Sequence, residues 1–302
     1  MNNLINYHFA SVKMPLKGLS IQQQLEQQLL SYIIDSELLE VPLSFVPQNT
    51  RSLSRLSQVQ PIIYRWAIAK QLSLHSPLST LDLAEQIFSI LATHTNDNQE
   101  VPQLILTMKL VEPGWLDFQL SDRALAIWLQ YFPEGDLSTI VKTIPLKRKD
   151  VRDNYFDHLL LIEYAHARCS SLLRLGEQQK LIKLKNHDFN DLTWLWQTPN
   201  PIPWLIDGER LRLTHRAELA LISQIITTID RLANNSWGTW QKLTQQLSES
   251  FLDFERYCRI FGALIEDEPQ LSQVRLGLIA ISQYLLQWLW SSHIGTFPRS
   301  QL

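Results

Sequence analysis

A histidine and a cysteine three positions apart on a helix can share a metal ion. The stretch EYAHARCSSLLRLG, residues 163–176, offers such a pair in His166 and Cys169. A structural metal site needs further ligands at similar spacing. The other cysteine, Cys258, stands far along the chain with no histidine beside it, so no metal is expected. Placed at about 100° per residue, Tyr155, Leu159, Ile162, His166, Cys169 and Leu173 fall on one apolar stripe, flanked by Leu161, Ala165 and Leu172. The spacing predicts a core helix with His166 packed and hydrogen-bonded inside a bundle. Glu163 and Arg174 face the opposite way and Arg168 lies at the edge. The small residues Ala165, Ala167, Ser170 and Ser171 leave room for a neighbouring helix to approach.

Other chemistry is sparse. No paired carboxylates and no nucleophile–base arrangement stand out. With nine glycines, none at phosphate-cradling spacing, nucleotide binding is not expected and no cofactor is implied. The segment SHIGTF, residues 292–297, holds His293-Ile294-Gly295 but no second histidine, and reads as a helix end with Gly295 as the stop and Pro298 beyond. Charge is more informative in its distribution than in its total of −3. Between residues 142 and 152, Lys142, Lys147, Arg148, Lys149 and Arg152 face one acid, Asp150. This is the one dense basic block, a phosphate contact or a solvated linker.

The elements that must position these groups differ between the halves. Ser20 with Gln23 resembles a capping box ahead of Ile21, Leu25, Leu29 and Tyr32. A second helix is expected from Ser79, burying Leu81, Ala84, Ile87, Phe88 and Leu91. LILTMKLVEPGWLDFQLSD then reads as strand, Pro113-Gly114 turn and strand. Alternation puts Leu116, Phe118 and Leu120 on one face, and Trp115, Asp117 and Gln119 on the other. A helix follows Ser121. From Asn154 onward helical periodicity dominates, interrupted by a proline-forced loop over residues 193–211. The expected fold is mostly α: a small N-terminal α+β domain (residues 1–132), a basic linker (133–153) and an all-α helical bundle (154–302).

Composition sets outer limits. With 45% hydrophobic and 19% charged residues, a sizeable core forms. Two cysteines suit a reducing compartment, and the start MNNLINYHFASVK has no basic run followed by an apolar one. The most apolar stretch, residues 276–290, is shorter than the roughly 20 residues a bilayer span needs and carries Ser282, Gln283 and Gln287. A cytoplasmic protein is expected, with neither membrane nor DNA as partner.

Four ordered landmarks carry a family resemblance. EYAHARCSSLLRLGE is similar to the signature helix of the DALR anticodon-binding domain of arginyl-tRNA synthetases, through Tyr164, Ala165, His166, Ala167, Arg168, Leu173 and Arg174. LTHRAELALI (213–222), FLDFERYCRIFG (251–262) with VRLGLI (274–279), and the closing IGTFP resemble that domain's later helices and its end. In the first half, YRWAIAKQLSLHSPLSTLDLAEQIFSIL and EPGWLDFQLSD resemble the same family's N-terminal domain, which reads the tRNA D-loop. The resemblance thus covers nearly the whole chain.

The resemblance also exposes a gap. In the synthetase family a class I catalytic domain separates these flanks, yet here roughly twenty residues lie between Gln130 and Asp153. A single βαβ unit alone takes about 30, and no His-x-Gly-His or Lys-Met-Ser-Lys-Ser-like motif is present. The resemblance therefore implies a non-catalytic tRNA-binding protein, an adaptor or regulator acting on tRNA; arginine tRNA is the species it suggests. A protein partner such as a tRNA-modifying enzyme would fit an adaptor. On the D-loop side it implies Trp115, Asp117 and Gln119. On the phosphate and anticodon side it implies Lys147, Arg148, Lys149, Arg152, Arg168 and Arg174, beside Tyr164 and His166 of the signature helix. Trp115 packed on a neighbouring helix remains an open alternative. The family's strand amide is Asp117 here, which accepts but cannot donate. Glu163, Leu252 and Glu255 also depart from the family pattern, which implies altered RNA contact. The competing reading is a protein-docking module that has lost RNA binding, with tryptophans of the 194–204 loop as anchors.

Overall fold

The computed structural model describes the chain except residues 1–8, 36–51, 94–101, 136, 138–154, 187, 190–191, 235–239 and 302, and the side chains of residues 35 and 155–158. The basic block, with Lys142, Lys147, Arg148, Lys149 and Arg152, lies outside the described residues. The chain divides into two compact units, Met1–Leu129 and Gln130–Leu302.

The first unit is built on a five-stranded antiparallel sheet in the order β1-β4-β5-β3-β2. Its strands are β1 (Phe9–Pro15), β2 (Leu53–Arg55), β3 (Ile63–Trp66), β4 (Gln103–Val111) and β5 (Trp115–Leu120). Strict alternation sends Val12, Met14, Tyr64, Trp66, Leu104, Leu106, Met108, Leu116, Phe118 and Leu120 inward, all buried. Helices α1 (Ile21–Asp35), α2 (Ile68–Leu72) and α3 (Thr80–Thr93) contact the strands, and α4 (Asp122–Tyr131) follows β5. Each of three helix starts has a hydroxyl cap, which satisfies an otherwise orphaned amide. Gln23 N donates to Ser20 Oγ at 3.2 Å, Asp82 N to Ser79 Oγ at 3.1 Å, and Ala124 N to Ser121 Oγ at 3.1 Å. The buried stripe of α3 is Leu83, Ala84, Ile87, Ile90 and Leu91. Leu81, expected inside, is 37% exposed, and Phe88, also expected inside, is half-buried; Leu83 and Ile90 are buried in their place.

The β4–β5 hairpin turns at Pro113 and Gly114. Gly114 has φ +124°, and a Cβ there would lie 2.7 Å from the Thr80 carbonyl oxygen. Only glycine fits both the angle and the space.

In the second unit α5 (Tyr155–Gln178) packs against α9 (Pro269–Ile294) and α7 (Trp240–Tyr257), and α6 (Arg216–Ala233) pairs with α7; α8 (Ala263–Asp267) precedes α9. Ile162, Ala165, His166, Cys169, Leu172 and Leu173 of α5 are buried, as the stripe predicts. Helix α9 is lined with buried Leu, Ile and Trp side chains, and ends at Gly295 in the left-handed conformation with φ +78°. Among the described residues no helix is long and apolar enough to cross a membrane.

The expectation of a mostly α chain, with a small α+β domain followed by an all-α bundle, is overturned. The described chain is mixed α and β throughout. The first unit's sheet has five strands where two were legible. The second unit carries two β-ribbons, β6 (Lys183–Leu184) with β7 (Trp196–Thr198), and β8 (Leu205–Ile206) with β9 (Arg210–Leu211). Strands of two or three residues are too short to show a period of two. Lys183 also pairs with Thr198, too far along the chain for a tight turn to announce the pairing. The β8–β9 turn is the exception: Asp207 and Gly208 both have positive φ, and Asp-Gly between short apolar segments is a local hairpin signal.

The division between units falls inside α4, and the side chains explain why. Gln130 Oε1 accepts from Ile202 N at 3.0 Å and Trp204 Nε1 at 3.2 Å. Phe132 stacks edge-on with Tyr284 and lies beside Trp194.

Candidate nucleic-acid interface

The outward face of the first unit's sheet collects the D-loop-side residues. β5 lies between β4 and β3, with Asp117 opposite Lys109 on one side and Arg65 on the other. Gln119 lies opposite Thr107 and Ile63, and both Gln119 and Thr107 are exposed. Trp115, Asp117 and Gln119 therefore share one face, and Trp115 is half-buried on it.

Arg65 organises the centre of this face. Its Nε donates to Asp117 Oδ1 and its Nη2 to Asp117 Oδ2, both at 2.7 Å. This is a two-pronged, charge-assisted pair between directly opposed residues on neighbouring strands. The guanidinium carbon sits 4.3 Å from the centre of the Trp115 ring, a cation–π stack. Asp117 is only 8% exposed despite pointing outward, because Arg65 folds over it. The hydrogen bond to Asp117 also raises the affinity of Arg65 for its proton. On β1 and β4, Lys109 Nζ lies 5.6 Å from the ring of Phe9, which is 61% exposed. Among the described residues the face thus presents two aromatic rings, each beside a cation, and by strand alternation it also carries Lys13. Arg65 escaped sequence reasoning because β3 is four residues long and its partner is 52 positions away.

The signature helix distributes its residues differently. Tyr164 is 44% exposed, and Leu160, one turn earlier, is 62% exposed. Arg168 is paired with Glu255 of α7. Arg174 donates from Nη1 to the Ser300 carbonyl at 2.8 Å and stacks 4.3 Å over Phe189. Burial pulls its pKa down. Both arginines are engaged within the second unit.

His166 is fully buried in a polar chain. Its Nδ1 lies 2.9 Å from the Arg299 carbonyl, which can only accept, so Nδ1 carries the proton. Nε2 then accepts from Gln283 Nε2 at 2.9 Å. The same Gln283 nitrogen donates to Gln287 Oε1, and Gln287 Nε2 donates to the Phe189 carbonyl at 2.8 Å. Burial pushes the His166 pKa down to about 4; the Arg299 carbonyl opposes this and the Arg174 charge adds to it. A neutral, doubly bonded imidazole ties α5 to α9 and to the closing segment.

A second cluster surrounds the start of α6. Glu218 accepts from His215 N at 2.7 Å and from Arg275 Nε at 2.7 Å, and Arg275 also donates to the Arg259 carbonyl. Cys258 Sγ lies 3.3 Å from His215 Nδ1, which also accepts from Ala217 N. Burial, with the Glu218 charge adding to it, pushes the Cys258 thiol up to about 11. A thiol held protonated is a poor nucleophile, and the His215 ring caps α6 by accepting from Ala217 N. Among the described residues no three His, Cys, Asp or Glu side chains gather so that they could hold a metal ion. Trp196 and Trp204 are buried, so two tryptophans of the 194–204 loop pack internally.

No family model matches the chain, and neither a curated protein nor a solved structure does.

Proposed function

We propose that this chain is a non-catalytic tRNA-binding protein, related to arginyl-tRNA synthetases without their catalytic domain, that serves as an adaptor or regulator. The observation that carries the reading is the outward sheet face. It offers the Trp115–Arg65 stack, the exposed Phe9 ring, and Lys109 and Lys13 on one surface. Proteins recognise RNA largely by stacking unpaired bases on aromatic rings or guanidinium planes and by placing cations on phosphates. The basic block, with Lys147, Arg148, Lys149 and Arg152, supplies the phosphate contacts in this reading.

Binding of tRNA transcripts measured across a salt series tests it. Affinity falls steeply with salt, and each of Lys147→Ala, Arg148→Ala and Lys149→Ala flattens the slope by roughly one. Trp115→Ala weakens binding with little change in slope. Salt-independent or absent binding refutes the reading. The competing docking-module reading rests on Leu160 and Tyr164, two large exposed side chains four positions apart on α5. It gains if a protein partner contacts this pair while tRNA does not bind.

A further inference from the structure

We infer that Arg65 is the base-reading residue of the sheet face and that its target is the paired acceptors, O6 and N7, of an unpaired guanine in an RNA loop. The inference rests on the tRNA-binding reading and names the residue and the nucleotide chemistry it lacks. A guanidinium has two donor forks. The Nε/Nη2 fork is filled by Asp117, with both bonds at 2.7 Å. One plane rests on Trp115 at 4.3 Å. Among the described residues the Nη1/Nη2 fork remains for a ligand, on a side chain that is 27% exposed. Among the described residues Arg65 makes no other side-chain hydrogen bond.

The remaining fork matches the adjacent O6 and N7 acceptors of guanine, the pairing that arginine makes most often with a base edge. A phosphate can also take a guanidinium fork, but Lys109 and Lys13 on the same face already supply charge for it, and the four-loop comparison below separates the two. Here the plane is held from two sides, by a carboxylate in its own plane and an indole beneath it. Asp117 and Trp115 are positioning residues: they orient Arg65 and do not themselves meet the base edge. This reverses the meaning of the acid at position 117. Facing RNA directly, it would repel; clamped to Arg65, it holds the reader in place.

The test uses the full chain with a set of RNA hairpins identical except for one loop nucleotide, guanine, adenine, uracil or cytosine. The expected result is about tenfold tighter binding of the guanine loop. Arg65→Lys keeps the charge, so the salt slope stays while the guanine preference disappears. Asp117→Asn weakens guanine-loop binding, and Trp115→Leu reduces the preference. Thermal melts confirm that each variant folds; Arg65→Gln is the second variant if lysine disturbs the strand.

Three outcomes overturn the inference. Binding of Arg65→Lys with an unchanged guanine preference removes Arg65 as the reader. A loss equal for all four loops assigns Arg65 to phosphate. Tighter binding by Asp117→Asn shows that the carboxylate faces RNA. In each case tRNA binding by the unaltered chain survives, and only the inference falls. Failure of the unaltered chain to bind any RNA sinks both.

Discussion

Replacing His166 by glutamine should make the second unit less sensitive to acid while weakening it at neutral pH. The folded imidazole titrates at about 4, against 6.5 for an ordinary histidine. Between these values the unfolded chain binds a proton that the native chain does not, so stability falls as pH drops from 6.5 toward 4. Each unit is worth about 1.4 kcal/mol, so the His166 penalty is about 2 kcal/mol at pH 5 and about 3 kcal/mol by pH 4. The reason is geometric: a proton on Nε2 would point at the amide hydrogen of Gln283, at a fully buried position. Glutamine at 166 can still accept from Gln283 but gives up the bond to the Arg299 carbonyl. That costs about 1–3 kcal/mol at pH 7.5, where His166 is neutral in both states. Urea unfolding of both chains at pH 7.5 and pH 5, followed by far-UV circular dichroism, separates the two effects. The variant's disadvantage at pH 7.5 should shrink by about 2 kcal/mol at pH 5, because titrations common to both chains cancel. A disadvantage of equal size at both pH values would refute the argument.

Three further outcomes follow from the packing. Gly277→Ala places a Cβ 3.0 Å from the Trp204 ring and 3.1 Å from Ile202, so these two buried side chains must give by a few tenths of an ångström; a loss of about 1–3 kcal/mol is expected in a thermal melt. Glu218→Gln removes the buried partner of Arg275 while keeping an acceptor for His215 N, and should cost about 3 kcal/mol in a denaturant titration. A neutral effect would mean that Arg275 finds another acceptor. Cys169 and Cys258 are both buried, and both thiols are held above their usual range. At pH 8 neither should react with a thiol reagent until the chain unfolds; reaction of Cys258 in the folded protein would contradict its placement.

Local rules were legible in the sequence. The hydroxyl caps at Ser20, Ser79 and Ser121, the α5 stripe, the β4–β5 hairpin and the Gly295 stop each depend on residues within a few positions of one another. The placement of Trp115 and Gln119 on the face opposite Leu116 and Phe118 follows from strand alternation alone. The buried stripe of α3 did not, because two overlapping apolar stripes satisfy the helical period and the fold buries Leu83 rather than Leu81.

What the tertiary structure alone decided is pairing across distance. Arg65 and Asp117 are 52 positions apart, and their opposition depends on the register of β3 against β5. Arg174 looks free for phosphate on a helical wheel, yet the Ser300 carbonyl and the Phe189 ring occupy it. His166 was predicted to be buried, but not which carbonyl would fix its proton, 133 positions away. The β6–β7 ribbon belongs with these, since a two-residue ladder exists only when its partner arrives. Periodicity along a chain records which face of an element avoids water. It carries no record of which distant group will meet that element, because that depends on how the layers stack once all of them are formed.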